Sequence, residues 1–386
     1  MDRTTKMITA ALPSLESLVK AQAYGLGFDL VGIARLGPAE TAAAFDAWLA
    51  EGYAGEMTPW LERGAEKRRD FRRPVAGVLS AVVVAMSYGG REPAGPVARY
   101  ARGVDYHDVM AERLRALHDG VRERVGRDVA GKAYVDTGPI LERDLARRAG
   151  LGWFGKSTML VNPTLGSFFF LGALLLDLEL EPDAPFEADR CGTCTRCLDA
   201  CPTGAFVAPR TLDATRCVSY LTIEARGGIP EALRDGVGDR IYGCDVCQDV
   251  CPYNRKFSIE LFEDSPYAPR AALAGKDARS LALSLLSMSQ AEFSASFKGS
   301  PMKRAKLRGL RRNASVVLGN VGAPDDIPAL VAVLADDEPL VRGHAAWALG
   351  RIGSPAALQP LRERLSSEDD PGVAGELRSA LAALGG

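Results

Sequence analysis

Eight cysteines in a window of about sixty residues constrain this chain more than any other feature. The first four follow the C-x2-C-x2-C-x3-C-P spacing with which bacterial ferredoxins hold [4Fe–4S] clusters. The last three repeat the end of that pattern, again followed by proline, and one cysteine stands between the two runs. In order, they are Cys191, Cys194, Cys197, Cys201, Cys217, Cys244, Cys247 and Cys251. Because two such clusters need eight thiolates and the chain has no other cysteine, the spacing predicts two clusters.

The fourth cysteine of a ferredoxin run ligates the neighbouring cluster, so we assign the ligands crosswise. One cluster is expected on Cys191, Cys194, Cys197 and Cys251. The other is expected on Cys201, Cys217, Cys244 and Cys247. The alternatives are a pair of four-thiolate zinc sites, which C-x2-C pairs also form, and a disulfide framework. Zinc does not require two Cys-Pro endings at ferredoxin spacing, and disulfides are typical of exported proteins.

Length and charge limit the remaining possibilities. A chain of 386 residues suggests two or three domains, and a net charge of -2 means that any nucleic-acid contact must come from a local basic patch. The N-terminus lacks the basic-then-apolar layout of a signal peptide. The longest apolar run, residues 168–176, is too short to span a bilayer. We therefore expect a cytoplasmic, monomeric protein without a membrane partner.

Strand and helix patterns alternate through residues 1–185, which predicts an α/β domain. Valine-rich and aromatic runs at 28–34, 78–86 and 168–180 predict buried strands, with helices at 14–25 and 109–125. Gly150 to Ser157 fits the letters of a nucleotide-binding P-loop. That loop needs a buried strand before its first glycine, whereas residues 143–149 form a charged helical pattern.

The C-terminal region, residues 303–386, contains an internal repeat. Residues 310–322 align with 341–353, and the glycines that close the two units, Gly322 and Gly353, are 31 residues apart. Two amphipathic helices per unit at this period predict an all-α, HEAT-like solenoid with an extended face for a large partner. Residues 186–260 then form a ferredoxin-like dicluster module, and 261–302 a helical linker that packs over it.

Seven cations and no acid lie in the segment that leads into the first repeat. Such a run is either a solvated helix face or a contact for a nucleic-acid phosphate backbone, and the sequence leaves both open. The seven candidates are Lys298, Lys303, Arg304, Lys306, Arg308, Arg311 and Arg312.

Several blocks in order resemble the epoxyqueuosine reductase family. They are residues 100–107, 135–143, 152–156 and 166–172, together with the cysteine window. The resemblance covers nearly the whole chain, and the solenoid fits the family's C-terminal module. It implies a cobalamin-dependent reductase that converts epoxyqueuosine to queuosine at the wobble position of tRNA. Electrons would pass from an unidentified low-potential donor through two [4Fe–4S] clusters to base-off cobalamin.

The resemblance also implies site residues. Asp136 would be the catalytic acid, with a pKa raised by burial beside the corrin, although a helix-capping aspartate is the alternative. Tyr106 and His107 would line the pocket or belong to the core. Cobalamin contacts are expected from residues in or beside the matching blocks: Met57, Arg99, Asp136, Ser157, Thr158, Ser167 and Phe168.

Two other functions are compatible with clusters on an α/β domain. A cobalamin-dependent reductive dehalogenase shares the cofactor plan, but such proteins are typically exported and have no use for a solenoid. An electron-transfer subunit would use the solenoid to bind a protein. A corrin spectrum separates the reductases from the subunit, and salt-dependent tRNA binding separates the tRNA enzyme from the dehalogenase.

Overall fold

The computed structural model describes residues 13–385. Most of the N-terminal stretch in which we looked for a signal peptide, residues 1–12, therefore lies outside it. None of the described helices is long and apolar enough to cross a membrane. The strands are β1 (Leu30–Arg35), β2 (Ser80–Ser87), β3 (Gly131–Tyr134), β4 (Trp153–Phe154), β5 (Leu160–Val161), β6 (Phe169–Leu176), β7 (Phe206–Ala208) and β8 (Thr211–Leu212).

Helices cover the sheet and form the whole C-terminal part. They are α1 (Leu15–Gly25), α2 (Ala42–Ala50), α3 (Thr58–Arg63), α4 (Ala65–Arg69), α5 (Tyr106–Val125), α6 (Glu142–Arg148), α7 (Arg196–Asp199), α8 (Val218–Ile223), α9 (Glu231–Val237), α10 (Val246–Asp249), α11 (Pro252–Phe257), α12 (Ala278–Ser287), α13 (Gln290–Ser296), α14 (Lys306–Val321), α15 (Ile327–Ala332), α16 (Pro339–Ile352), α17 (Leu358–Ser366) and α18 (Pro371–Ala383). The mixed α/β class and the helical C-terminal region are thus confirmed. The domain boundaries stay predictions.

The central sheet has the order β1-β2-β6-β3, and every pair in it is antiparallel. Side chains of β2 alternate between two cores, as the pleat requires. Val82, Val84 and Met86 pack with α1 and α5, while residues 81, 83 and 85 pack with α6. Both faces are therefore covered, which is why the predicted strands are continuous apolar runs rather than alternating ones.

The register brings three chain segments to one edge of this sheet. Ser87 at the end of β2 pairs with Phe169 at the start of β6, and Tyr134 at the end of β3 pairs with Ala173. The residues that follow β2 and β3 therefore emerge beside the beginning of β6. The helix α6 comes directly before Gly150, so the P-loop alternative lacks its strand here, as expected.

The repeat prediction is confirmed by stacked helices, of which α14, α16 and α18 pack in succession. A glycine at the same repeat position lets each pair approach closely. A Cβ on Gly319 would lie 2.3 Å from the Trp347 ring, and one on Gly350 would lie 2.7 Å from the Cα of Ala380. These two glycines are equivalent in the repeat, so its period reflects a packing requirement.

The first repeat is bound to the cysteine module through buried polar side chains. Arg312 is 1% exposed and donates to the carbonyls of Leu221, Ala225 and Gly227 at 2.5–2.7 Å. Its neighbour Asn313 donates to two further carbonyls of the module. The predicted phosphate contact of Arg312 is therefore wrong, because its guanidinium is used inside the protein.

His344 connects the solenoid to the same module. Its Nε2 accepts from the backbone N–H of Ile229 at 3.1 Å, and its Nδ1 donates to the carbonyl of Leu340 at 2.7 Å. Burial, followed by the nearby charge of Arg234, lowers the pKa of His344 to about 3 from an ordinary 6.5. The folded protein therefore keeps this imidazole neutral.

We expect His344 to make the protein less stable in acid. Below pH 6.5 the unfolded chain binds a proton that the folded chain refuses, so the free energy of unfolding falls by about 1.4 kcal/mol per pH unit. Urea unfolding of wild type and His344→Gln at pH 7.5 and 5.0 measures this. The variant should be the less stable at pH 7.5 and lose less on acidification, and equal losses in both proteins would contradict the assignment.

Candidate active site

A cavity of about 430 Å³ lies where the sheet edge meets the cysteine module. Aromatic rings from the ends of β2 and β6 and from the start of α5 form one wall. Three carboxyl residues also line it: Asp136, Glu142 and Asp245, of which Asp245 is paired with Arg99. Ser157 and Thr158 form a further part. The aromatic residues of the wall are Tyr88, Tyr100, Tyr106, Phe169 and Phe170, and Phe206 of β7 also lines the cavity. The cavity thus joins an apolar surface, acidic groups and thiols in one space.

The thiols divide into two groups, of which only one reaches the cavity. Cys201, Cys217, Cys244 and Cys247 line it. Burial, and then the neighbouring thiols of Cys244 and Cys217, raise the pKa of Cys247. Since charges act in this way only over short distances, these thiols lie close together.

The other group is formed across the two sequence runs. Burial raises the pKa of Cys251, and the thiols of Cys191 and Cys194 raise it further. Cys197 is affected in the same way by Cys191 and Cys251. The fold thus places the last cysteine of the second run with the first three of the first run. This grouping supports the crosswise assignment, although the ligand sets stay predictions.

All eight cysteines are free thiols, which contradicts the disulfide alternative. Nitrogen donors already point at two of them, Trp153 Nε1 at the Cys191 sulfur (3.4 Å) and the backbone N–H of Ala205 at the Cys201 sulfur (3.3 Å). Such donors stabilise a thiolate ligand and influence the reduction potential of a cluster. Within residues 13–385, no three His, Cys, Asp or Glu side chains converge as they would around a single ion.

Asp136 follows β3 in a strained conformation, with φ of 57°. Thr158, also on the cavity wall, has φ of 66°. Non-glycine residues adopt such values at some energetic cost, and they are common at functional sites. The Asp136 side chain is 67% exposed, and the residue lines the cavity. It is no helix cap, since α6 begins six residues later with Leu141 as its N-cap.

Two neighbours on α5 hold the carboxylate of Asp136. Tyr106 donates its hydroxyl to Oδ2 at 2.6 Å, and His107 Nε2 lies 3.7 Å from the same oxygen. The ring of Tyr106 stacks on Phe170 of β6 with centroids 4.1 Å apart, which fixes its direction. The side chain of Asp136 is therefore positioned by the helix, while its backbone comes from the sheet.

The expected rise in the pKa of Asp136 is wrong. Desolvation of the carboxyl group by the surrounding side chains acts in that direction, although the side chain is partly exposed. The nearby imidazole of His107 and the hydrogen bond from Tyr106, with the charge of Arg143, lower the pKa of Asp136 overall. Burial would by itself lower the pKa of His107, yet its hydrogen bond to Asp105 and the nearby carboxylate of Asp136 raise it to about 9. At neutral pH the proton therefore resides on His107, and Asp136 is ionised.

Glu142 is a second acid at this site, and no role was predicted for it. Burial and, to a smaller extent, the charge of Asp136 raise its pKa to about 8, so that it is largely protonated at neutral pH. Its Oε1 is buried and has no hydrogen-bond partner among the described residues. A role for Glu142 in the site is hard to predict from the sequence, because an acid in the first turn of a helix usually only complements the helix dipole.

Three of the seven predicted cobalamin contacts line the cavity, and four do not. Asp136, Ser157 and Thr158 lie on its wall. The side chains of Met57, Arg99, Ser167 and Phe168 do not line it, so their cobalamin contacts stay predictions.

The reason is that these four side chains serve internal packing between the α/β domain and the cysteine module. Arg99 is 5% exposed and pairs with Asp245 at 3.0 Å. Ser167 is buried and accepts from Asn254 at 2.9 Å. Phe168 is 1% exposed in the sheet core, and Met57 packs against a small apolar cluster of the module.

The basic segment before the solenoid is largely neutralised by the protein itself. Its other three arginines form ion pairs, Arg304 with Glu224, Arg308 with Glu338 and Arg311 with Asp336. Lys298, Lys303 and Lys306 are exposed, and the described part of the chain gives them no ion-pair partner. Only these three lysines are therefore fully available to a phosphate.

Three protein-family models match the chain. The model for "Epoxyqueuosine reductase QueG, DUF1730" matches residues 68–137. The model for a 4Fe-4S double cluster binding domain matches 190–254, a range that contains all eight cysteines. A model for HEAT repeats matches 304–382.

Curated relatives match along most of the chain. The epoxyqueuosine reductase of Xanthomonas campestris is 42% identical over 347 residues, covering 87% of this chain and 95% of the relative. That of Salmonella typhimurium is 40% identical over 351 residues, covering 88% and 89%.

Solved structures agree with this fold. One is an epoxyqueuosine reductase with an epoxyqueuosine-modified tRNA-Tyr stem loop, with a TM-score of 0.89 and 32% identity over 96% of this chain and 99% of that one. Another, from Bacillus subtilis, has an aspartate-bearing catalytic loop swung out of its active site. Its TM-score is 0.87, with 31% identity and the same coverage.

The cysteine grouping predicts the metal content. Anaerobically purified protein should contain about eight iron and eight sulfide ions per chain. Cys194→Ala and Cys251→Ala should abolish the same electron paramagnetic resonance signal, because their thiols lie in one group, and Cys247→Ala should abolish the other. Zinc in place of iron, or different signals lost in Cys194→Ala and Cys251→Ala, would contradict the assignment.

Proposed function

The chain belongs to the epoxyqueuosine reductase family, and on that premise we propose that it reduces epoxyqueuosine to queuosine at the wobble position of tRNA. The reaction converts an epoxide to an alkene and releases its oxygen as water, which takes two electrons and two protons. The observation that carries the proposal is a cavity lined both by four cysteines and by the carboxyl groups of Asp136 and Glu142. A substrate bound in this cavity can receive electrons from the cysteine side and protons from the carboxyl groups.

The electrons are proposed to enter at the outer cysteine group and leave from the inner one. The thiols of Cys191, Cys194, Cys197 and Cys251 are absent from the lining of the cavity, whereas those of the other group belong to it. The two groups adjoin, because the thiol of Cys197 contributes to the raised pKa of Cys247. A low-potential donor would dock at the outer group, and each cluster would pass one electron at a time.

Cobalamin is proposed to occupy the cavity in its base-off form. Bound there, it would supply low-valent cobalt as the reductant of the epoxide. The aromatic wall, with Tyr106 and Phe170 stacked in parallel, suits the apolar edge and face of a corrin ring. Ser157 and Thr158 offer hydroxyl groups for its amide side chains, and Thr158 holds a strained backbone at that point.

Asp136 is proposed to deliver the proton to the epoxide oxygen. Charge develops on that oxygen as the C–O bond breaks, and a positioned acid can neutralise it. Asp136 is ionised at rest, so it has to take the proton from a neighbour as the reaction proceeds. The hydroxyl of Tyr106 keeps the carboxylate oriented toward the cavity.

The solenoid and the three exposed lysines are proposed to bind the tRNA backbone. Lys298, Lys303 and Lys306 flank the start of α14, where the solenoid joins the cysteine module. Their charges lie in a chain of net charge -2, so they form a local patch of the kind that phosphates require. We further propose that the enzyme acts as a cytoplasmic monomer.

Turnover of epoxyqueuosine-bearing tRNA tests the proposed function. Reduced, cobalamin-loaded protein should convert the nucleoside to one lacking a single oxygen, as measured by nucleoside mass analysis. Asp136→Asn should lower kcat by about 100-fold or more, because the proton donor to the oxygen is lost. Asp128→Asn, which removes an 81% exposed aspartate at the opposite end of α5, is the matched control. Wild-type kcat in Asp136→Asn would refute the acid role, and a corrin-free protein that turns nothing over would favour an electron-transfer subunit.

Salt dependence of tRNA binding tests the lysine patch. Replacing Lys298, Lys303 and Lys306 by Gln should weaken binding and reduce the slope of log K against log salt by about 3. The control changes three exposed arginines near the end of α5 to Gln, namely Arg122, Arg124 and Arg127. It removes the same charge, so an equal loss of slope in both variants would show that only net charge matters.

A further inference from the structure

A second cavity, of about 470 Å³, lies behind the segment that carries Asp136. Val135 and Thr137 line this second cavity, whereas Asp136 between them lines the first. Residues 135–137 therefore separate the first cavity from the second and form a wall of both. The positive φ of Asp136 places its carboxylate on the side of the aromatic residues and thiols.

His107 connects the second cavity to that carboxylate. Its side chain is 32% exposed and lines the second cavity, while Tyr106 beside it lines the first. Its Nε2 lies 3.7 Å from Asp136 Oδ2, and its Nδ1 lies 2.7 Å from Asp105 Oδ1. Within the described residues, Nε2 has no hydrogen-bond partner at normal distance. Asp105 thus orients an imidazole whose free nitrogen faces Asp136.

The reaction needs a proton route of this kind. Two protons are consumed in each turnover, and Asp136 holds none at rest. A nucleoside and a cofactor bound in the first cavity would exclude water from that side of the carboxylate. The second cavity remains open to water behind the wall.

We propose that His107 is the positioning residue that gives its Nε2 proton to Asp136 in each turnover. Because Nε2 is buried next to Asp136, it regains a proton from water of the second cavity when the side chain of Asp136 moves away from it. The N–H bond of the imidazolium breaks as an O–H bond forms at Asp136 Oδ2, and Asp136 passes the proton to the epoxide oxygen. The imidazole left behind is neutral and keeps its Nδ1 proton on Asp105. This inference rests on the proposed function, which supplies the electrons.

The charges around His107 favour the protonated form at rest. The hydrogen bond to Asp105 and the nearby carboxylate of Asp136 outweigh burial and raise the pKa of His107 to about 9. The titratable and charged groups that face it or its partners are Asp105, Tyr106, Asp136, Arg143, Arg270, Lys67, Lys132 and Tyr134. Glu142 can hold a further proton, but it is not among the residues that line the second cavity.

Chemical rescue tests the relay. His107→Ala should lower kcat by about 100-fold, and added imidazole should restore it by entering the second cavity. Ala111→Phe in the same background fills that cavity and should abolish the rescue, since Ala111 lines it. His118→Ala is the matched control on the same helix, and it should neither lose activity nor respond to imidazole.

The pH profile separates a proton relay from a structural role. The wild-type kcat should fall above pH 9, as His107 loses its proton. In the rescued variant the fall should instead follow the pKa of the added base, moving when a methylated imidazole replaces imidazole. Full activity of His107→Ala overturns the proposal, as does a loss without rescue in protein that binds tRNA and keeps both cluster signals. Absence of turnover in wild type overturns the proposed function and this inference with it.

Discussion

The interior of this protein depends on the packing of its two cysteine runs against each other, through α7 and α10. Cys251 ends the second run, yet its thiol lies with those of Cys191 and Cys194 at the start of the first. This crossing leaves one group of thiols on the inner side, where it faces the edge of the sheet. The cavity lies between that edge of the sheet and the inner thiols, and buried side chains connect the two parts around it.

The connecting side chains are polar and buried. Several residues that were expected to contact cobalamin are among them. Arg99 pairs with Asp245 of the cysteine module, and Ser167 bonds to Asn254 of α11. Breaking one partner of a buried pair leaves an uncompensated charge or donor, which costs several kcal/mol. Arg312 plays the same part at the far side of the module, where it satisfies three backbone carbonyls. Residues that look like ligand contacts in the sequence thus hold the domains in register.

At neutral pH the acidic groups of the site differ in protonation: Asp136 is ionised, while His107 and Glu142 carry protons. Asp136 is ionised because His107 and Tyr106 stabilise its charge. Glu142 stays largely protonated because burial outweighs the backbone hydrogen bond and the arginine charges that favour its ionised form. Opposite shifts in adjacent groups are a recurrent way of assigning acid and base roles at one pH. Here the shift follows from tertiary placement, since β3 supplies Asp136 and α5 supplies its two partners.

The two cysteine runs, the buried strands and the C-terminal repeat could all be predicted from the sequence. Spacing and periodicity are local properties, and covalent neighbours are enough to specify them. Which charged side chains remain free could not be predicted, because it depends on which segments the fold brings together. Arg312 and Lys306 belong to one basic run, yet Lys306 is exposed while Arg312 is buried, because α14 directs Arg312 onto the carbonyls of the cysteine module. The ionisation of Asp136 was decided in the same way, by partners thirty residues away in the chain that the sheet register brings within 4 Å.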